Sequence, residues 1–208
     1  MKPAWVWCFV GILLLSALGL ATNGTLTWST YQVSNDGARV FRWEPSTGVG
    51  PTWVTTWDEL GGVIHGYVSS WNGAWGTQTE LIAPNGRPTE DLFLTYDSTR
   101  SRFVVVGIDY QSGANSNIWY TYSTNSTGAS WHTPLILALN ASIGDWDYPS
   151  IAVDPTGRIV VGAVKFSGNT DSGYWTVVST DGGSTFSSPV LVGNTNSTGG
   201  ARSPTDCD

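Results

Sequence analysis

The chain has 208 residues, a formal net charge of −7, 12% charged side chains, 25 glycines and 12 tryptophans. Lys and Glu, the usual currency of helical surfaces, are scarce, so the composition favours strands and turns. A pI near 4.6 excludes the basic patch that nucleic acid or an anionic membrane surface requires.

The first element is an export signal. Lys2 supplies a positive start, Ala4 to Leu20 is apolar apart from Ser16, and Gly19-Leu20-Ala21 is a small-x-small cleavage site. Cleavage after Ala21 assigns residues 1–21 to the signal and residues 22–208 to the mature protein. The apolar run also approaches the roughly 18 to 20 residues that span a bilayer, so an uncleaved anchor is the alternative, and membrane contact is expected only then. Either way the remaining chain is expected outside the cytoplasm, secreted or at the cell surface. Cys8 lies in the signal and Cys207 stands alone near the end, so no internal disulfide framework is expected. Asn-x-Ser/Thr sequons occur at Asn23, Asn125, Asn140 and Asn196, as chance allows in a chain rich in Asn, Ser and Thr.

Next come strand patterns separated by Gly, Asn, Asp, Ser and Pro. Thr27-Trp28-Ser29-Thr30 reads as an outermost strand, Phe41-Arg42-Trp43-Glu44-Pro45 as a strand end, and Trp57-Asp58-Glu59 as a loop. From here a repeat takes over. Tyr96-Asp97, Arg102 to Gly107, Ile118 to Asn125 and Ser130 to Pro134 are matched by Val153-Asp154, Arg158 to Gly162, Tyr174 to Asp181 and Thr185 to Pro189. Trp119 and Trp175 lie 56 residues apart (175 − 119), as do Ser123 and Ser179 (179 − 123). His65 to Thr77 is a weaker upstream copy, and Arg202-Ser203-Pro204-Thr205 echoes Tyr148-Pro149-Ser150 downstream. The clearest unit holds strands at Ser150 to Val153, Arg158 to Phe166, Tyr174 to Ser179 and Pro189 to Val192. Four short strands at a period of about 40 to 60 residues predict an all-β chain, a β-propeller of four-stranded antiparallel blades. A β-sandwich would not repeat its turn residues at a fixed interval. About three blades are present, an incomplete ring. The chain is then a fragment of a longer one, an arc completed by a second copy, or a ring with a vestigial fourth unit. The break inside a repeat favours the fragment.

Between the last two strands of that unit stands Ser179-Thr180-Asp181-Gly182-Gly183-Ser184-Thr185-Phe186. It matches the Asp box, Ser/Thr-x-Asp-x-Gly-x-Thr-Trp/Phe, and here the chain resembles the sialidase-like, Asp-box (BNR) repeat superfamily. Ser123 to Trp131 is a degenerate copy with Asn125 in the Asp place and Gly128 as its glycine, and Ser69 to Trp75 is a poorer one. The expected role of Ser179, Asp181, Gly183, Thr185 and Phe186, and of Ser123, Asn125, Gly128 and Trp131, is structural. A short Asp or Asn side chain bonds nearby backbone amides, glycine supplies conformations other residues resist, and the aromatic ring tucks under the turn.

The resemblance also implies what an enzyme of that superfamily needs. Three arginines clamp a sugar carboxylate, an Asp is general acid/base, and a Tyr paired with a Glu is nucleophile. Arg42 lies where the first arginine is expected, although Trp43 replaces Ile and one residue too many precedes Pro45. Asp58 is the corresponding acid/base candidate, and Arg202 could face a central channel. The nucleophile pair belongs to later blades and has no counterpart. His65 and His132 lack ligand partners, so neither a metal nor a cofactor is expected. Trp28, Trp75 and Trp131 fall at repeat-equivalent packing positions. Trp53, Trp57, Trp71 and Trp146 lie off the pattern, and loop positions would let them stack on sugars. The expected function is a binding propeller for glycans or surface proteins. A sialidase-like glycoside hydrolase and an architectural envelope protein are the alternatives.

Overall fold

The computed structural model describes residues 39–43, 47–49, 52–60, 64–72, 74, 76–109, 116–166 and 173–194, with backbone alone at 39–43, 57–60, 64–65, 166 and 194. The export signal, Asn23, Trp28, Trp75, Asn196, Arg202 and Cys207 lie outside the described residues.

Every element among the described residues is a strand. Sheet 1 contains β1 (Arg39–Trp43), β2 (Thr47–Val49), β3 (Thr52–Leu60), β4 (Ile64–Trp71) and β5 (Thr79–Glu80), in the order β1-β3-β4-β5 with β2 also on β3. Sheet 2 contains β6 (Thr89–Asp97), β7 (Arg102–Asp109), β8 (Asn117–Tyr122) and β9 (Leu135–Ile136), in chain order. Sheet 3 repeats this with β10 (Asp145–Val153), β11 (Ile159–Phe166), β12 (Gly173–Ser179) and β13 (Val190–Asn194). The pairings within all three sheets are antiparallel.

Sheet 2 lies between the other two, and its strand β7 shows why. The run Arg102-Phe103-Val104-Val105-Val106-Gly107-Ile108-Asp109 is buried along its whole length. Phe103 and Val105 pack with Val54 and Val68 of sheet 1, whereas Val104, Val106 and Ile108 pack with Ile151, Ile159, Val161 and Val177 of sheet 3. Side chains alternate across a strand, so a continuous β-branched run suits a strand covered on both faces. Each fully buried Val or Ile stabilises by about 1.5–3 kcal/mol, which makes these two seams the main source of cohesion.

The sequence repeat becomes a register. Phe103 pairs with Ser123, and Ile159 with Ser179; Gly107 pairs with Trp119, and Ala163 with Trp175. Positions 56 apart are therefore equivalent on the two middle strands. Gly107 and Gly162, the ends of the matching runs, are only 55 apart (162 − 107) and are not equivalent. Trp119 lies against Gly107, while Gly162 leaves room for the Tyr174 ring, so each glycine answers a different aromatic neighbour.

Other sequence expectations are corrected. β10 begins at Asp145, five residues ahead of the expected Ser150. Asp58 belongs to strand β3 and not to a loop. Trp53 and Trp57 also lie in β3, Trp71 ends β4, and Trp146 lies in β10 with its side chain buried. Aromatic and β-branched residues favour pleated strands, and in Thr52–Leu60 that preference carries the strand through Asp58 and Glu59.

Candidate functional site

The sheets share two ends. At one, the chain turns tightly. The Asp181 carboxylate accepts from the Thr185 hydroxyl (2.5 Å), the Thr185 amide (3.0 Å), the Ser184 amide (3.1 Å) and the Ser179 hydroxyl (2.8 Å). Led by the Thr185 hydroxyl, these donors hold its carboxyl far below the usual carboxylate range. Gly182 and Gly183 take positive φ (79° and 84°), and Gly183 N–H donates to Ser179 Oγ (2.7 Å). Phe186 meets Tyr120 of sheet 2 edge-on at 5.2 Å. The Asn125 turn is wired differently. Among the described residues Asn125 Oδ1 accepts from Thr127, through its amide (3.0 Å) and hydroxyl (2.7 Å), and Trp131 Nε1 donates to Gly128 O (3.1 Å).

The same end carries a device whose residues the sequence showed without a role. Asp97 pairs with Arg102 (3.2 Å) and Arg100 (3.2 Å), and Asp154 pairs with Arg158 (2.7 Å). The Arg102 guanidinium also donates to Gly182 O of sheet 3 and lies 4.0 Å over the Tyr122 ring; Arg100 donates to Gly157 O (2.9 Å). Two arginines of sheet 2 thus grip two turns of sheet 3.

At the other end start β1, β6 and β10, the first strands of the three sheets. Each carries a register shift: nearer the start of the strand on β1 (between Val40 and Arg42), and at the equivalent place on β6 (between Glu90 and Phe93) and β10 (between Asp147 and Ser150). Asp91 and Tyr148, one in each of the last two shifts, take left-handed φ of 51° and 49°. A bulge re-aims side chains, and a non-glycine residue in this conformation costs about 1–3 kcal/mol. The bulged strands place Glu90, Asp91, Asp147 and Tyr148 along one rim. Tyr148 N–H donates to Asp147 Oδ1 (2.8 Å), and Ser150 Oγ lies 2.5 Å from Tyr174 Oη.

The rim is held from behind. Buried Asp109 accepts from Asn117 through its amide and its Nδ2 (2.6 Å for the latter), accepts from Asn85 Nδ2, and faces Arg87 at 3.6 Å. Asn117 Oδ1 accepts from Ala141 N–H (2.8 Å) and Asp145 Oδ1 from Ser116 N–H (2.9 Å), which ties sheet 2 to the start of β10. Trp146 donates through Nε1 to Asn140 O (2.9 Å) and meets Trp175 edge-on at 6.4 Å, with Lys165 Nζ 5.5 Å over the Trp175 ring. Trp146 is therefore packing at the rim's base and not an exposed stacking ring.

Arg42 and Asp58, the two candidates from sequence, are direct cross-strand partners in sheet 1. Through the shared register, Arg42 corresponds to Glu90 on β6 and Asp147 on β10, since Asp58, Ile108 and Val164, which they face, hold the same place on the middle strands. The structure brings no second arginine to those equivalent places. Asp91, Asp147 and Tyr148 were missed, and the signal that could have found them is the awkward Asp147-Tyr148-Pro149 step inside a strand pattern. His132 is exposed, with its ring 4.2 Å from Tyr122. Among the described residues no three His, Cys, Asp or Glu side chains are grouped to hold a metal, and no helix is long and apolar enough to cross a membrane.

No protein family profile and no curated protein matches the chain. Solved structures do. A Dyadobacter fermentans protein described as of unknown function is 17% identical with a TM-score of 0.55, over 72% of this chain and 50% of that one. A Hadza microbial sialidase is 13% identical with a TM-score of 0.52, over 69% and 35%. A polysaccharide lyase described as an ulvan lyase is 15% identical with a TM-score of 0.51, over 70% and 36%. The likeness is one of fold. The chain spans half or less of each of these structures.

Proposed function

We propose that this chain is part of an exported β-propeller that binds glycans along the bulged rim of its innermost strands. The observation that carries this reading is the recurrence of the bulge on β1, β6 and β10, with Asp91 and Tyr148 held in left-handed backbone. Strain of this kind persists where the surrounding structure enforces it, and it clusters at ligand sites. Carboxylates and a tyrosine at such a rim suit the hydroxyl-rich edge and apolar face of a sugar. Two of the structures similar in fold act on carbohydrate by their descriptions, a sialidase and an ulvan lyase.

Hydrolysis is the second reading, and Arg42 facing Asp58 in register is the observation in its favour. Against it, a three-arginine clamp would draw on equivalent inner-strand places, where Glu90 and Asp147 stand. Binding to an immobilised glycan panel tests the first reading. Tyr148→Gly removes the rim side chain and also relieves backbone strain, so glycan affinity should fall about tenfold or more while thermal stability holds or rises. Undiminished binding by Tyr148→Gly and by Asp147→Ala would sink the rim as the site. Release of reducing sugar that disappears in Arg42→Ala would favour the hydrolase instead.

A further inference from the structure

Two Asn-x-Ser/Thr tripeptides lie among the described residues, Asn125-Ser126-Thr127 and Asn140-Ala141-Ser142. Both close the same local turn. Asn125 Oδ1 accepts from the Thr127 amide (3.0 Å) and hydroxyl (2.7 Å), and Asn140 Oδ1 accepts from the Ser142 amide (3.1 Å) and hydroxyl. The asparagine oxygen is thus occupied by the residue two positions on, and Nδ2 is the group left for other chemistry.

Their surroundings separate them. Asn125 is exposed, as are Thr124 and Ser126 beside it, and among the described residues no acceptor takes its Nδ2 hydrogens. Asn140 is half-buried. Its Nδ2 donates to Leu137 O (3.3 Å), its carbonyl accepts from Trp146 Nε1 (2.9 Å), and Leu137 and Leu139 of the same loop are buried. A bulky group on Asn140 Nδ2 would therefore intrude at the base of the rim, whereas Asn125 sits at the opposite end of the sheets. Asp181, 56 residues on (181 − 125), holds the equivalent place in sheet 3 and gathers four donors there. In sheet 2 that carboxylate is replaced by a neutral amide on an exposed turn.

We propose that Asn125 is a glycan-attachment site. The donor is an oligosaccharide joined through its C1 to a polyisoprenyl pyrophosphate, and a membrane-bound transferase catalyses the step. A bond forms between Asn125 Nδ2 and C1, and the bond between C1 and the phosphate oxygen breaks with its electron pair leaving on that oxygen. One Nδ2 proton passes to a base of the transferase. The proposal rests on the reading of the chain as exported, because this modification marks surface turns of secreted proteins. The glycan stands on the turn end and leaves the bulged rim clear.

The test is site-resolved mass spectrometry of the chain secreted by a yeast, with residues 1–21 exchanged for the host's secretion signal. A peptide N-glycosidase then leaves aspartate wherever an asparagine carried sugar. The expected result is a glycan at Asn125 in most secreted molecules, with Asn140 largely bare. Thr127→Ser should keep the glycan and Thr127→Ala should lose it. Asn125→Asp should also lose it with an unchanged circular dichroism spectrum, since sheet 3 carries aspartate at that place. A secreted chain bare at Asn125 overturns the proposal. So does equal filling of Asn140, because the tripeptide alone would then decide. Neither result bears on export, since the host signal delivers the chain. If residues 1–21 restored in place of that signal leave the chain inside the cell and bare, the export reading itself is overturned.

Discussion

Single side chains at the turns are wired by charge-assisted hydrogen bonds, and this gives the molecule an acid limit. The Thr185 hydroxyl first, with further donors behind it, keeps Asp181 ionised well below the usual carboxylate range. The Thr156 hydroxyl first, and then Arg158, does the same for Asp154. Because both folded-state values lie below the unfolded one, near 3.9, the unfolded chain takes up more protons as pH falls. Their contribution is therefore complete above about pH 4 and is lost as pH drops toward the folded values. The melting temperature should decline below about pH 4, and the slope should be shallower in Asp154→Asn with Asp181→Asn. An unchanged acid slope in that double variant would show that these carboxylates do not set it. Asp181 was legible as a turn residue because its partners lie within four positions in sequence. Arg102 was visible as half of a repeat, but its partner Gly182 is 80 residues away, so no local pattern could give its role.

At the level of elements, the grip of the β6–β7 turn on the Ser179–Phe186 turn joins two repeats. Arg102 is held by Asp97, donates to Gly182 O and covers the Tyr122 ring. Arg102→Ala leaves fully buried Asp97 with Arg100 as its remaining counter-charge and Gly182 O without its donor, and losing a buried partner in this way costs up to about 3–5 kcal/mol. The melting temperature should drop by roughly 10 °C. Arg102→Lys should recover less than half of that, because an ammonium lacks the planar fork that reaches a carboxylate and a carbonyl together. Thermal melts of the two variants check this, and a loss under about 1 kcal/mol for Ala would show the grip to be ornamental. Strand existence was legible in the β-branched runs, whereas strand beginnings were not. β10 starts at Asp145 because Asp145, Trp146 and Asp147 pair with Phe166, Lys165 and Val164; a long-range pairing overrides the polar reading of those residues.

Across the whole molecule, stability concentrates in the two seams beside sheet 2. Trp119 and Trp175 hold the same repeat position, and both face the preceding sheet. Trp119 is fully buried between Gly107 and Leu92, while Trp175 is only partly buried. Trp119→Ala should cost about 3–5 kcal/mol in urea unfolding. Trp175→Ala should cost less than half as much, because less of its surface leaves water on folding. Equal losses would mean that the seams do not differ in this way. Sequence alone makes the two tryptophans equivalent, since periodicity records which residues share a place in the repeat and not how deeply each copy is covered.

The sequence by itself determined what local chemistry governs: strands over helices, turns built on Asp or Asn with glycine, and a repeat of 56 residues carrying equivalent side chains. It also supplied Arg42 and Asp58 as candidates. Only the tertiary structure decided that those two face each other across a ladder, that Glu90 and Asp147 occupy the matching places, and that the first strand of each sheet bulges beside them. The reason is the range of the interaction. A turn is closed by neighbours a few residues away, so its residues announce it. A bulge's position, a covered face and a shared rim depend on strands that meet only once the sheets have packed, and such meetings leave no fixed spacing in the chain.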